Sequence, residues 1–393
     1  MQINDPDTPR GADVVIIGGG VTGLSAGWWL AQSGVDVMVL EAGLVAFGAS
    51  GRNGGGCTHF QSPLFKEEQR LWPMMDELLG HPTEFCRGRL RIATDDAQMA
   101  LYGTSQPTMR RLGYACEQLD AAQIRELAPL AGDAAHGGYF YDVGGHANPH
   151  RTAQGYAWAL QDHGGRIAQH CRVTGFVVEG GQVRAVQTSR GEISCQKVVI
   201  AAGPQTGALA AMLGASVPMV TARAEMIVTE PAPLMPLTGV DGNGLYGRQT
   251  LRGNLAYGGG MHEWLGDPEP GEAPRPGPPS SPLMAHIGRR LMEILPKAAH
   301  LRIIRSWAGK IENTPDGAPV IDWLPGCDNA LVATMSSVGF GLSPASGHAI
   351  RDLVIDGTCS FADLSTFRLA RFDRLEPDWR EMQGWTPLIQ GAA

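Results

Sequence analysis

The sequence predicts an α/β fold in two lobes: a βαβ nucleotide-binding unit, then a longer region of antiparallel strands and helices. Three observations carry this. An apolar strand, a glycine-rich turn, a helix and a second strand run from Ala12 to Gly43. Short alternating strands joined by hairpin-type turns fill Arg166 to Ala202, and strands dominate again from Val217 to Tyr257. The length, 393 residues, is too great for one simple core and suits two.

The N-terminal unit reads "ADVVIIGGGVTGLSAGWWLAQSGVDVMVLEAG". Its strand, Val14 to Ile17, opens into Gly18-Gly19-Gly20-Val21-Thr22-Gly23, with Gly18, Gly20 and Gly23 in the G-x-G-x-x-G positions. Gly18 permits the tight turn, Gly20 lets backbone approach a pyrophosphate, and Gly23 lets the helix pack closely on the strand. The helix, through Leu30, aims its first N–H groups at the phosphates. The next strand, Val35 to Leu40, ends at Glu41-Ala42, where the carboxylate can accept from both ribose hydroxyls. A lone glycine motif would be weak; with the strand before it, the helix after it and the acidic residue in place, a merely structural turn is the poorer reading. The motif alone does not separate NAD from FAD. The loop that follows, "GASGRNGGG" from Gly48 to Gly56, favours FAD: five glycines with Ser50, Arg52 and Asn53 can lie along a ribityl chain and ring. Gly54 and Gly55 then offer backbone N–H groups at close range.

Residues 64–130 read as helices with polar faces, as in "EEQRLWPMMDELLG" and "AAQIRELAPL". "GGYFYDVGGHANPHRTAQGYAWALQDHGG" gives a strand or two and then a helix starting near Pro149, where proline suits a first turn. The meander that follows turns at "EGGQ" and "SRGE" and ends in a buried strand, Val198 to Ala202, before Gly203-Pro204. In "GLYGRQTLRGNLAYGGG" Tyr246 and Arg248 fall two apart on a strand and face the same way. "DPEPGEAPRPGPPSSP", Asp267 to Pro282, holds seven prolines and is a loop, followed by an amphipathic helix, Leu283 to Leu295.

Composition narrows the function. With 43% hydrophobic and 18% charged residues the chain resembles an ordinary soluble enzyme, and a formal charge of −8 argues against a nucleic-acid partner. "MQINDPDTPRG" is not a signal peptide, and no apolar run is long enough to span a bilayer. The seven scattered cysteines form no Cys-x-x-Cys pair, so no zinc or iron–sulfur site and no metal is expected. A reducing cytoplasm is the expected compartment.

Four segments together resemble the D-amino-acid oxidase superfamily of flavoenzymes, in particular its sarcosine, glycine and dimethylglycine oxidase or dehydrogenase branch. They are Gly18 to Glu41, Ser50 to Gly56, the meander ending in "VVIAAGPQT", and Trp307 to Gly347. The resemblance runs in order from about residue 12 to about 360. It implies a discontinuous Rossmann-type FAD-binding domain (11–80, 145–215 and 305–393) interleaved with an antiparallel-sheet α+β substrate domain (81–144 and 216–304). It also places "WAGKIENTPDG" beside the flavin ring, and the turn "SSVGFGLSPASG" with its helix N-terminus against the pyrimidine edge. Such donors would support negative charge on the reduced ring. By the same resemblance Val173 meets the adenine through its backbone. Ala202, Gly203, Gly309, Gly339, Phe340, Gly341 and Leu342 join the cofactor-binding set.

Departures from the family pattern matter as much. Several members tether FAD through a cysteine; the matching position is Gly309, so non-covalent FAD is expected. The arginine that clamps a substrate carboxylate in glycine- and D-amino-acid-oxidising members is matched by Ile311, and a lysine used by monomeric sarcosine oxidases falls at Gly341. An oxygen-activating lysine is matched by Ala256, which tilts the acceptor from dioxygen toward a partner protein or quinone. The pattern "WAG", two variable positions and "NTPDG" resembles members that oxidise bulkier or secondary amines, and flavoprotein subunits of multi-subunit amino-acid or opine dehydrogenases. The expected activity is oxidation of a C–N bond in an amino acid or secondary amine, with hydride passing to the flavin and the imine hydrolysed. The alternatives are a subunit that passes electrons to a partner, and a 2-hydroxy-acid dehydrogenase using His59 or His262 as base. Homo- and hetero-oligomers both stay open. Tyr246 is expected to face the substrate and His59 to accept a proton, each against the blander reading of a structural side chain. If the substrate carries a carboxylate, Arg248 and Arg223 are the partners expected, against the equal reading of a surface or interdomain ion pair, and Cys57 is expected to be an inert rather than a redox-sensitive thiol.

Overall fold

The computed structural model describes residues 10–259, 263–265 and 277–382. His262 and most of the proline-rich stretch lie outside them. Two sheets organise the described residues.

In the first sheet, β1 (Gly11–Ile17) lies parallel between β2 (Val37–Leu40) and the strand Gly191–Ile200. Parallel pairing extends outward to Arg166–Ala168 on one side and Ala330–Thr334 on the other. A parallel sheet is covered on both faces, so its strands are apolar throughout. Here Val14, Ile16, Val37 and Val39 pack on one side with α1 (Val21–Gln32) and the helices Pro149–Asp162 and Gly339–Asp356. Val15, Ile17, Met38 and Leu40 pack on the other with Val183, Val186 and Leu209. The meander forms as expected, with Val173–Glu179, Gln182–Thr188 and Gly191–Ile200 joined antiparallel.

The second sheet runs Glu263–Trp264, Val220–Pro231, Asn254–Gly259, Leu245–Gln249, Val240–Gly242, Cys86–Ala93, Gly137–His146, Cys116–Asp120. Among the described residues one of its pairings, Val240–Gly242 with Cys86–Ala93, is parallel and the others are antiparallel. Leu90, Ile92, Val240, Leu245 and Tyr257 turn to one face and pack on Ile287, Leu291 and Ile294 of the helix Ser281–Ile294. Alternation then sends Arg89, Asp241, Tyr246 and Arg248 to the other face.

The all-helical expectation for residues 64–130 needs correcting. Helices do form at Phe65–Leu71, Asp96–Gly103 and Ala121–Leu127, but Cys86–Ala93 and Cys116–Asp120 are strands. In "RLRIA" charged and apolar residues alternate with period two, and short helices on either side masked that signal. The strand Ile303–Asn313 pairs along Val220–Thr229 in the second sheet, and the chain re-enters the first sheet at Val320–Trp323. The boundary expected near 305 therefore runs through a strand of the second sheet whose last residues, Lys310 to Glu312, also line the nucleotide cavity.

Candidate active site

The carboxyl ends of β1 and β2 open into a cavity of about 250 Å³. The glycine turn forms its floor, and each glycine is held to its identity by a neighbour. A Cβ on Gly18, which sits at φ +116°, would lie 2.2 Å from the Ala201 carbonyl oxygen. One on Gly23 would lie 2.1 Å from the Gly18 oxygen, so α1 presses directly on the turn. Gly18, Gly20, Val21 and Thr22 line the cavity; Gly23 supports them from beneath.

Glu41 closes β2 as expected and its orientation is fixed. Oε2 accepts from the Gly19 N–H at 2.8 Å and Oε1 from the Gly43 N–H at 2.7 Å. Burial raises its pKa, against the pull of those two donors. Glu41→Gln keeps the shape but turns one acceptor into a donor facing a backbone N–H. The expected result is about a tenfold weaker hold on FAD, read from flavin fluorescence released on dilution. Ser50 reaches across from the glycine loop, its Oγ accepting from the Val21 N–H at 3.0 Å. The loop thus closes on the first turn of α1, whose N-cap, Gly20, has no side chain to do so. Asn53 stiffens the loop, donating to the carbonyls of Ala49 and Ser50 while its Oδ1 accepts from the Gly55 N–H. Ala42, Val173, Ala202, Gly203, Gly339 and Phe340 complete the predicted lining.

A second cavity of about 250 Å³ adjoins the first, and Ala49, Arg52, Asn53, Ile311, Ser337 and Phe340 line both. One wall is the glycine loop with Gly309, Ile311 and the start of the helix Gly339–Asp356; the other is the second sheet, with Arg89, Asp241 and Tyr246. The distant "SWAG" stretch fixes the join. Trp307 Nε1 donates to the Arg52 carbonyl at 3.0 Å, pinning the glycine loop to the strand Ile303–Asn313. The Arg52 guanidinium lies 4.6 Å over the Phe47 ring, and its buried Nε has no hydrogen-bond partner.

His59 lines the second cavity and is held by a buried carboxyl. Glu68 Oε1 lies 2.8 Å from His59 Nδ1, and Oε2 accepts from the His59 backbone N–H at 3.2 Å. With Nδ1–H given to Glu68, Nε2 is the ring nitrogen that carries the lone pair. The ring rests on Gly341, where a Cβ would come within 2.2 Å of His59 Cε1. Gly341 in turn is fixed by Trp72, whose Nε1 donates to its carbonyl at 2.7 Å. Tyr246 meets the loop edge-on, 3.0 Å from where a Gly54 Cβ would stand. Burial pushes its pKa up to about 12, so the phenol keeps its proton.

Both proposed carboxylate partners lie elsewhere. Arg248 lines neither cavity; it is buried beneath the loop with NH1 donating to the Gly54 carbonyl at 2.6 Å, and burial pulls its pKa down to about 10. It does share a face with Tyr246, but the Gly54 carbonyl covers its guanidinium and makes it a prop for the loop. Arg223 pairs with Glu225 at 3.4 Å, donates to the Pro278 carbonyl and lines neither cavity. Leu342 is fully buried behind the lining, its N–H bonded to the Val338 carbonyl. Cys57 is wholly buried, and burial raises its thiol pKa well above normal. Arg89, Asp241, His146, Glu312 and Ser337 line the cavities and were missed. The alternation in "RLRIA" carried a signal for Arg89, and Glu312 and Ser337 lie in the two late segments that the resemblance set beside the flavin although neither was singled out; nothing in sequence placed Asp241 or His146.

The family model described as FAD dependent oxidoreductase matches residues 13–353. Over 94% of this chain and 90% of its own, the sarcosine oxidase beta subunit of Rhizobium meliloti is 29% identical. Glycine oxidase of Pseudomonas putida is 26% identical over 87% of this chain and 94% of its own. The structure of L-amino acid deaminase from Proteus myxofaciens superposes with a TM-score of 0.86 at 21% identity, covering 95% of this chain and 96% of that one. The last is a likeness of fold.

Proposed function

We propose, from the premise that this chain belongs to the FAD dependent oxidoreductase family, that it oxidises the C–N bond of an amino acid or secondary amine. The carrying observation is the junction of the two cavities at Arg52, Asn53, Ile311, Ser337 and Phe340. A dinucleotide seated along Gly18 to Thr22 and Glu41 has a continuous path to a chamber walled by the second sheet. The residues present suit FAD: Gly18 and Gly23 leave no room for a Cβ, Glu41 is aimed, and Arg52, whose buried Nε has no hydrogen-bond partner, lines both cavities. None of the seven cysteines lines the second cavity, which supports non-covalent binding.

When bound, FAD accepts the hydride from the carbon beside the amine nitrogen. The protein's part is orientation, exclusion of water and control of one proton. An ammonium has no lone pair with which to expel a hydride, so the substrate must first be neutral. His59 Nε2, held in the chamber by the Glu68 grip on Nδ1, is the acceptor for that proton. Tyr246, protonated and half-buried on the facing wall, is a hydrogen-bond donor toward the substrate. The imine then hydrolyses to a carbonyl compound and a smaller amine. On this reading FAD is held by segments 11–80, 145–215 and 305–393, the substrate is met by 81–144 and 216–304, and the enzyme works in the cytoplasm. No helix among the described residues is long and apolar enough to cross a membrane.

A second reading, supported by the subunit named among the relatives, makes the chain one member of a complex that hands electrons to a partner or quinone. One titration separates these. The visible spectrum is followed without air as sarcosine, dimethylglycine, glycine, proline, opines and hydroxy acids are added in turn. Bleaching of the flavin band by an amine is the expected result. Recovery of colour on admitting air identifies an oxidase; no recovery points to a partner acceptor. Bleaching by a hydroxy acid alone would overturn amine oxidation.

A further inference from the structure

We infer that Arg89, held by Asp241, is the anion-recognising residue of the second cavity, so that the amine substrate carries a carboxylate remote from the C–N bond it loses electrons from. This rests on the proposed amine oxidation. The family arginine position near the flavin end is filled by Ile311, and Arg248 and Arg223 are committed elsewhere. Arg89 is the arginine that the second sheet presents to the chamber.

Its geometry suits that task. Nε and NH2 of Arg89 both reach Asp241 Oδ2, at 2.6 and 2.5 Å, which fixes the plane of the guanidinium and leaves NH1 for a ligand. Asp241 is buried and cannot swing away, whereas the Arg89 side chain keeps 22% of its surface open. The same carboxylate also faces Arg91 Nε at 3.4 Å. Two guanidinium groups share one carboxylate, so the cluster holds an excess positive charge with the cavity beside it.

Position decides the substrate's shape. In the second sheet four strands separate Ile303–Asn313 from Cys86–Ala93. Ile311 and Arg89 therefore meet the chamber at opposite ends, with Ala224, Gly247 and Tyr246 between them. A carboxylate directly attached to the reacting carbon, as in glycine, would find an isoleucine at the flavin end. A longer amine would run its apolar middle past that wall and place its anionic end on Arg89.

The test uses the FAD-loaded protein and needs no turnover. Hexanoate and its neutral isostere hexanamide are titrated while the flavin absorbance band is followed, in wild type and in Arg89→Gln. Wild type should bind hexanoate on the order of 10- to 100-fold more tightly than hexanamide, and Arg89→Gln should erase the difference while keeping its flavin. Equal binding of the pair by wild type overturns the inference, whether or not the variant folds. So does a preference that survives in a flavin-loaded Arg89→Gln. The two readings fail differently: a carboxylate preference with no amine able to bleach the flavin sinks amine oxidation alone, and bleaching by amines with no carboxylate preference sinks this inference alone.

Discussion

Gly18→Ala should yield a colourless protein. Gly18 stands at φ +116°, a conformation that costs an L-residue about 1–2 kcal/mol. Its new methyl would stand 2.2 Å from the Ala201 oxygen and 2.8 Å from the Ala201 carbon. Both are backbone atoms at the end of the strand Gly191–Ile200, which is hydrogen-bonded residue by residue to β1. Overpacking of that kind adds about 1–3 kcal/mol. Relief has one direction, outward, into the space the pyrophosphate needs. FAD affinity should therefore fall on the order of 100-fold or more, a loss equivalent to about 3 kcal/mol. The visible-to-ultraviolet absorbance ratio of the purified variant and its uptake of added FAD give the answer. A variant that stays yellow at full stoichiometry would show that this turn does not cradle the phosphates.

Gly341→Ala should do the opposite: keep the flavin and lose the reaction. Its methyl would stand 2.2 Å from His59 Cε1, 2.6 Å from His59 Nδ1 and 2.5 Å from the Gly56 carbonyl oxygen. The helix cannot retreat easily, because Trp72 holds the Gly341 carbonyl and its ring lies tilted against Phe340, with ring centroids 5.6 Å apart. His59 has to yield, and with it the bond to Glu68. If His59 takes the substrate's proton, anaerobic bleaching by a good amine should slow on the order of 100-fold, while the glycine cradle and Glu41, in the other cavity, still hold FAD. His59→Gln is the control. It should slow bleaching to a similar extent, and the rate of both variants should recover as pH rises, because solvent then delivers the amine already neutral. A variant as fast as wild type at neutral pH would remove His59 from the mechanism. The same contact explains why the lysine of some family members has no counterpart here: a side chain at 341 and the His59 ring would occupy one space.

How far the site was legible depended on whether its residues share a local pattern. Gly18, Gly20, Gly23 and Glu41 declare themselves because a tight turn, a close helix and a ribose acceptor need those residue types at that spacing. The loop from Ser50 to Gly55 was legible for the same reason, and each of these except Gly23 and Gly51 reaches a cavity lining. The substrate side was not. Tyr246 and Arg248 are indistinguishable by alternation, yet the tyrosine enters the chamber and the arginine is sealed under the Gly54 carbonyl. His59 looked like any lone histidine until Glu68, nine residues on, turned out to grip its ring.

The sequence by itself determined the α/β class and the nucleotide cradle, since backbone conformation at glycines and one acidic side chain act over a few residues of chain; the loop Gly48 to Gly56 and the late family segments pointed from a dinucleotide to FAD. Tertiary structure alone decided which charged groups line the second cavity. Arg89 and Asp241 come from strands some 150 residues apart, and His59 and Gly341 from elements nearly 300 apart. Sheet order and helix packing bring such groups together, and whether an arginine is a buried prop or lines the cavity is decided by its partner, the Gly54 carbonyl for Arg248 and the Asp241 carboxylate for Arg89.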